Sequence, residues 1–348
     1  MRILGIDTTC DDTGVGIVED GHRILANVIA SQHADHERYG GIVPVVAARQ
    51  HVRNVNLIIA AALREAGCSF RDLDAVAVTH EQGLLLSLVV GVSAAKSIAL
   101  ALDLPLVGVH HIEGHIYSNL VEHGDAIGFP FLCLTVAGGH SLLLVVEDHG
   151  RYALLGHTRD DAAGEAYDKV ARRLGLGYPG GPEIDRRAKD GDPKAFRFPR
   201  PLLHDPGNEL SFSGLKSSVI RTIERLEAAG EPVPVADLCA SFQQAVVDVL
   251  VAKTLRVAAA EGIETIALAG GVALNSQLRA ELEAAAAERG LRTFAPRPGL
   301  CVDNGAMIAG AAYHLHRHRG PSSLTIDAVA NAPLGALEVR YKHDSKYR

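Results

Sequence analysis

"RILGIDTTCDDTGVGIVED", residues 2–20, decides the fold. Two β-patterned runs, "RILGID" (2–7) and "GVGIVED" (14–20), flank a turn of Thr, Asp and Cys. A third run, "HRILANVIA" (22–30), follows Asp20-Gly21, a dipeptide suited to a tight hairpin. Working outward, a helical pattern from about Pro44 to Ala66 precedes a strand at "DAVAVT" (74–79). A helix over Gly83–Leu102 and a strand at "LPLVGV" (104–109) complete the order β-β-β-α-β-α-β.

That order recurs. Strands read at "FLCLTV" (131–136), "SLLLVVED" (141–148) and "RYALLGHT" (151–158), followed by helical material over about 164–260. A strand "TIALAG" (265–270), a helix over 276–290, a strand "RTFAP" (292–296) and a last helix from Asp303 close the second unit. The reading is an α/β duplication of two lobes, 1–110 and 111–348. The second carries a helical insertion at about 160–235, rich in Arg and Lys.

Composition narrows the class. At 348 residues the chain exceeds one ordinary core, which agrees with two lobes. A formal charge of −7 argues against a free-standing, non-specific nucleic-acid binder but leaves room for a local basic face. The five cysteines (Cys10, Cys68, Cys133, Cys239, Cys301) are scattered and form no C-x-x-C pair, so a reducing, cytoplasmic setting is expected. The N-terminus runs straight into a strand without a signal-peptide layout. Gly83–Leu102 is long enough to span a membrane, but Lys96 interrupts it and no second such segment is read. It is expected to be a helix buried between sheet and lobe, with no membrane partner.

Three turns fall at matched places: "DTTCDDTG" (7–14), "VAGGHS" (136–141) and "AGGVALN" (269–275). Small residues there let backbone N–H groups face an anion, and a helix N-terminus adds its dipole. Each alone is commonplace; together they fit a nucleotide in an inter-lobe cleft of the actin, hexokinase and Hsp70 type. No P-loop or G-x-G-x-x-G after a strand is present. In "GLGYPGG" (175–181) the glycine pair reads as a close approach to ribose or base, or as a simple turn.

"HHIEGHIYS" (110–118) sets His111 and His115 four residues apart, about 40° around a helix, where both can grip one ion. A peptidase needs its glutamate directly after the first histidine. Here Glu113 is turned about 200° from His111, which weakens the peptidase reading. Asp303 is a candidate third ligand, or a plain helix cap.

"GIDTTCDDTG", "HHIEGHIYS", "VAGGH", "DDAAGEAYDKVARRLGLGYPGGP", "LSFSGLKS", "AGGVALN" and "CVDNGAMIA" together resemble the TsaD family, the tRNA N6-adenosine threonylcarbamoyltransferases once described as glycoproteases. The resemblance runs in order from Ile3 to Ala309. It implies an actin-like fold and one divalent ion, Fe2+ or Zn2+, on His111, His115 and Asp303. It implies threonylcarbamoyl-AMP as substrate, with ATP or AMP able to occupy the same cleft, on Thr135, Val136, Ala137, Gly138, Gly139, Asp168, Gly181, Asp185 and Asn275. It also implies transfer to N6 of adenosine 37 in tRNAs reading ANN codons. Asp168 could instead be an exposed helical charge. Asp11 and Asp7 are candidates for general base, or for shaping their turn.

The family works with a TsaB-like shorter actin-fold paralogue and a TsaE-like small ATPase. The "VVGVSAAKSIAL" helix is a candidate for the paralogue contact. Arg172, Arg173, Arg186, Arg187, Lys189, Lys194, Arg197 and Arg200 make the insertion the expected phosphate-facing region, or a solvated helical face. Three departures stand out: "THEQGLLLS" (79–87) where the family shows T-x-G-P-G-L-x-G, Ala137 for Ser, and Asp12 for Glu. They leave open a paralogue with a different acceptor. A metal-dependent glycoprotease and an actin-fold small-molecule kinase also stay open on sequence grounds.

Overall fold

The computed structural model describes residues 1–334 and 336–340. The first lobe runs β1 (Arg2–Asp7), β2 (Asp12–Glu19), β3 (Arg23–Ser31), α1 (His33–Glu37), α2 (Pro44–Glu65), β4 (Ala75–Glu81), α3 (Leu85–Leu102) and β5 (Leu106–His110). α4 (His111–His123) leads into β6 (Phe131–Val136), β7 (Ser141–Asp148) and β8 (Arg151–His157). Then come α5 (Ala163–Arg173), α6 (Gly180–Ala188), α7 (Ser213–Ala228) and α8 (Val235–Glu261). The chain ends with β9 (Thr265–Ala269), α9 (Ser276–Ala287), β10 (Arg292–Phe294), α10 (Pro298–Cys301), α11 (Gly305–Arg319) and β11 (Ala336–Val339).

Duplication is plain in the sheets. One has the order β3-β2-β1-β4-β5; the other, read from β8, runs β8-β7-β6-β9-β10. β1 pairs antiparallel with β2 and parallel with β4, and β6 does the same with β7 and β9. β11, which the sequence pattern did not reveal, adds to the outer edge of β8. β1 and β6 are central and covered on both faces, so their side chains read as continuous apolar runs rather than alternating ones. α4 and α11 lie between the two sheets and share one core with them, with Ile116 and Ile308 fully buried.

α11 comes unusually close to the first hairpin. A side chain at Gly16 would stand 2.6 Å from Ala306 Cα, and one at Gly14 2.9 Å from Asn304 Cα. Glycine is required there because backbone meets backbone. This contact carries the residues before α11, Asp303 among them, to the mouth of the first turn.

Several expectations change. The span 164–260 is four helices with a non-helical stretch at about 190–212, where Pro193, Pro199 and Pro201 interrupt helical hydrogen bonding. α3 is not buried between sheet and lobe: Leu88, Val92 and Ala95 face the sheet, whereas Leu85, Leu86, Val89 and Leu100 stay exposed. Its sequence is apolar all round, so periodicity could not say which face is covered. A second helix, α8, is also long and apolar enough to cross a membrane, contrary to expectation, and is two-thirds buried in the second core. The end of the second lobe as read from sequence, 341–348, lies outside the described residues.

Candidate metal and ligand centre

"HHIE" starts α4. His110 is the cap: its Nδ1 accepts from the Ile112 N–H at 3.1 Å, and Glu113 accepts from the His110 N–H at 3.4 Å. The other Glu113 oxygen takes the Tyr152 hydroxyl at 3.0 Å, so this glutamate points away from the two histidines, as its helical phase requires. His111 and His115 sit one turn apart with ring centroids 4.6 Å from each other. Asp303 Oδ1 lies 3.5 Å from His111 Nε2 and 3.3 Å from His115 Nε2. Asp303 is not the helix cap; Asn304 holds that place, accepting from the Met307 N–H at 2.9 Å.

These residues fit a cation. Asp7 Oδ1 accepts from the hydroxyls of Thr9 and Thr79, the latter at 2.7 Å. Thr9 therefore gives its proton to Asp7, and its oxygen accepts from His111 Nδ1 at 3.1 Å. That fixes the tautomer: His111 Nε2 carries a bare lone pair and faces a carboxylate oxygen. Both nitrogens of His115 are buried without a hydrogen-bond partner among the described residues. Lone pairs aimed at one another and orphaned imidazole nitrogens are relieved by one metal ion. Among the described residues this is the cluster of three His, Cys, Asp or Glu ligands close enough to hold one, its ligand atoms all within 4.8 Å. Burial pushes His111 down to about 3, so its imidazole is neutral and ready to ligate. Burial opposes ionisation of Asp303, yet His111, His115 and His140 hold its carboxyl well below the usual range.

The two base candidates have different surroundings. Asp7 is fully buried, and burial, then Asp303, raises its carboxyl. It stands behind Thr9, which in turn contacts His111. Asp11 sits at the cleft seam, accepting from the Tyr178 hydroxyl at 3.4 Å, with His33 Nε2 3.8 Å away. Burial raises Asp11 and His33 opposes that shift. Asp12 is pushed up to about 6, chiefly by burial.

Across the cleft, Thr135 and Val136 end β6, and Ala137 N–H donates to His140 O at 2.8 Å to close the next turn. Gly138, Gly139 and Gly181 border open space. Gly180 does not: a side chain there would stand 2.8 Å from Asp168 Cα, so close packing of α5 on α6 requires glycine at this position. Asp168 is no free helical charge, since it accepts from the Gly180 N–H at 2.8 Å and caps α6. Asp185 accepts from Ser276 Oγ at 2.9 Å and from Gln243 at 3.0 Å; Gln243 in turn accepts from Asn275 at 2.7 Å. Ala137 is buried against Gly270. Sequence reasoning assigns nothing to Thr9, His33, Gln82, His140, Tyr178 or Gln243. His140 and Tyr178 lie inside the glycine motifs; Thr9, Gln82 and Gln243 act through tertiary contacts that no spacing announces.

The insertion's charge is partly neutralised. Arg173 pairs with Glu227, Arg186 with Glu183 at 2.6 Å, and Arg200 with Asp248 at 2.7 Å, while Arg172 donates to Gly40 O at 3.3 Å. Arg187, Lys189, Lys194 and Arg197 are exposed without an ion pair among the described residues.

Comparison with known proteins agrees with this architecture. The family model described as tRNA N6-adenosine threonylcarbamoyltransferase matches residues 23–310. Curated relatives of that name from Moorella thermoacetica and Desulfitobacterium hafniense are 49% and 48% identical, covering 96% and 94% of this chain and 97% and 96% of theirs. The chain belongs to this family. Members share the fold with solved structures too distant to speak of function. A full-length HypF is 15% identical at TM-score 0.60, covering 92% of this chain and 47% of that one. An activator of 2-hydroxyisocaproyl-CoA dehydratase from Clostridium difficile is 15% identical at TM-score 0.54, covering 93% and 99%. The tRNA N6-adenosine threonylcarbamoyltransferases are acyltransferases, and the actin-like duplication expected from the meander is the one observed.

Proposed function

We propose that this chain transfers a threonylcarbamoyl group from threonylcarbamoyl-AMP to N6 of adenosine 37 in tRNAs that read ANN codons. The observation that carries the reading is the meeting of His111, His115 and Asp303, their ligand atoms within 4.8 Å of one another, in a chain 48–49% identical over nearly its whole length to curated members of the family.

The adenylate is bound by Thr135 to Gly139, Asp168, Gly181, Asp185 and Asn275. Asp168 and Asn275 act mainly by shaping, one by capping α6 and the other by joining Gln243 to the start of α9. N6 attacks the carbamoyl carbon, the bond to the phosphoryl oxygen breaks, and AMP leaves with that electron pair. The proton lost from N6 passes to Asp11, the candidate carboxylate that faces the seam between lobes. An amine conjugated to a purine is a weak nucleophile, so rate comes from holding it in line and from donors aimed at the developing negative charge. His111, His115 and Asp303 would hold an Fe2+ or Zn2+ ion, whose contribution is Lewis-acid polarisation or orientation of the carbamate. Thr9 and Asp7 keep His111 in the ligating tautomer.

The acceptor RNA is expected to follow the exposed cations of the insertion, Arg187, Lys189, Lys194 and Arg197. The uncovered apolar face of α3 fits a TsaB-like paralogue, and a TsaE-like ATPase would join that assembly in the cytoplasm. The test is a single-turnover assay with the partners, synthetic threonylcarbamoyl-AMP and unmodified tRNA, wild type beside His111→Ala. Modified adenosine that forms with wild type and collapses with the variant supports the reading. A wild type that binds adenylate but modifies no tRNA overturns the acceptor and leaves a paralogue of the family with another one.

A further inference from the structure

The loop in which this chain departs from the family pattern, "THEQGLLLS", places Gln82 where three parts of the molecule meet. It follows the end of β4 with φ of 69°, a conformation a non-glycine side chain adopts only when its surroundings hold it. The holding contacts are clear. The Gln82 N–H donates to Val329 O at 2.9 Å, and the next residue's N–H, that of Gly83, donates to Ala330 O at 3.0 Å. The Ala332 N–H donates to Gln82 Oε1 at 3.4 Å, and Gln82 Nε2 stands 2.7 Å from His140 Nε2. The segment after α11 thus fastens the first lobe's loop, and that loop reaches the glycine turn of the second.

These contacts decide where the protons are. A backbone N–H can only donate, so the amide end facing Ala332 is oxygen and the end facing His140 is NH2. An amide NH2 can only donate, so His140 Nε2 must be the acceptor. Its proton then resides on Nδ1. An imidazole that accepts at Nε2 is neutral and carries its one proton on the other nitrogen. Among the described residues no group hydrogen-bonds to that Nδ1–H, and it is not one of the buried atoms lacking a partner.

We propose that His140 contacts the substrate, presenting its Nδ1–H to an anionic oxygen of the acyl-phosphate in the cleft, and that Gln82 is the positioning residue that sets this tautomer. The assignment rests on the adenylate-dependent transfer described above. It gives chemistry to the residue directly after the glycine pair, where Gly138 and Gly139 border open space. It also gives meaning to the departure from the family's loop pattern, because the Gln82 amide orders a ring on the opposite lobe.

Gln82→Glu is the informative variant. A carboxylate still accepts from the Ala332 N–H, but now also accepts from the imidazole, which draws the proton to Nε2 and leaves Nδ1 bare. Carbon and nitrogen NMR of histidine-labelled protein, with the His140 signals identified by their loss in His140→Asn, is expected to report Nδ1–H in wild type and Nε2–H in Gln82→Glu. In single turnover Gln82→Glu and His140→Leu should each lose activity on the order of 100-fold, the scale for one donor to developing charge. His140→Asn, whose amide can donate from nearly the same place, should recover most of the rate, and tRNA affinity should stay unchanged throughout. A wild-type ring protonated on Nε2, or a Gln82→Glu rate equal to wild type, overturns the proposal. Should wild type modify no tRNA, the functional reading fails instead. The tautomers and calorimetric binding of a non-hydrolysable acyl-adenylate analogue then still judge His140: equal affinity in wild type and His140→Leu sinks it, and weaker binding in His140→Leu sustains it.

Discussion

At the level of single residues the site is governed by which lone pair faces where. Thr9 is a small residue with a large effect, because its hydroxyl passes direction from Asp7 to His111. Thr9→Val removes that hydroxyl with little change in shape. His111 is then free to present either nitrogen, and affinity for the metal should fall about 10- to 100-fold, the usual cost of losing an outer partner of a ligating imidazole. Titration of metal-free protein with Zn2+ or Fe2+ reads this directly; an unchanged affinity would mean that packing alone orients the ring. Asp11→Asn is expected to keep adenylate binding and lose most of the transfer rate, whereas Asp7→Asn should act through metal affinity. If Asp7→Asn instead leaves the metal in place and stops transfer, the two aspartates have exchanged parts. Of these residues, His111, His115 and Asp303 were legible from spacing and resemblance. Thr9 was not, since one threonine in a turn is indistinguishable from its neighbour Thr8, whose hydroxyl bonds Ser87 O instead.

Among the elements, the hairpin of β1 and β2 and the helix α11 form a unit that sequence periodicity described only in halves. The meander, its repeat and the strand order within each lobe could be read because central strands are apolar runs bounded by turn residues. What could not be read is that a helix from the far end of the chain lies on the first sheet, because glycine patterns at Gly5, Gly14, Gly16 and Gly305 look like ordinary flexibility until the backbones meet. β11 escaped for a related reason: four residues pairing with a distant edge leave no period to detect. Gly16→Ala should therefore be costly, beyond the 1–3 kcal/mol typical of about one extra methylene in a packed core, because the obstacle is backbone. It should also weaken metal binding, since α11 and the preceding Asp303 shift together. Denaturation midpoints and metal titration of the same variant check both; a loss of stability with intact metal affinity would separate Asp303 from the helix position.

On the scale of the whole molecule, one ion would hold together parts of the chain almost two hundred positions apart. His111 and His115 open the helix that follows the first lobe, Asp303 precedes the helix that returns to it, and both helices lie between the two sheets. A ligand bound only by this folded arrangement stabilises it by mass action, roughly 2.7 kcal/mol when free metal is at 100 times its dissociation constant. Chelation should accordingly lower the melting temperature, and the drop should vanish in His115→Ala, which is already unable to complete the site. The orphaned nitrogens of His115 sharpen the expectation: replacing this residue removes two unsatisfied buried groups along with the ligand. Metal-free His115→Ala should thus be about as stable as metal-free wild type, the cavity left by the ring offsetting the relief of those nitrogens. Paired melting curves with and without chelator give four values that separate the effects. If wild type and variant respond equally to chelator, the ion does not sit on this triad. If only wild type responds, an ion on this triad fastens the lobes.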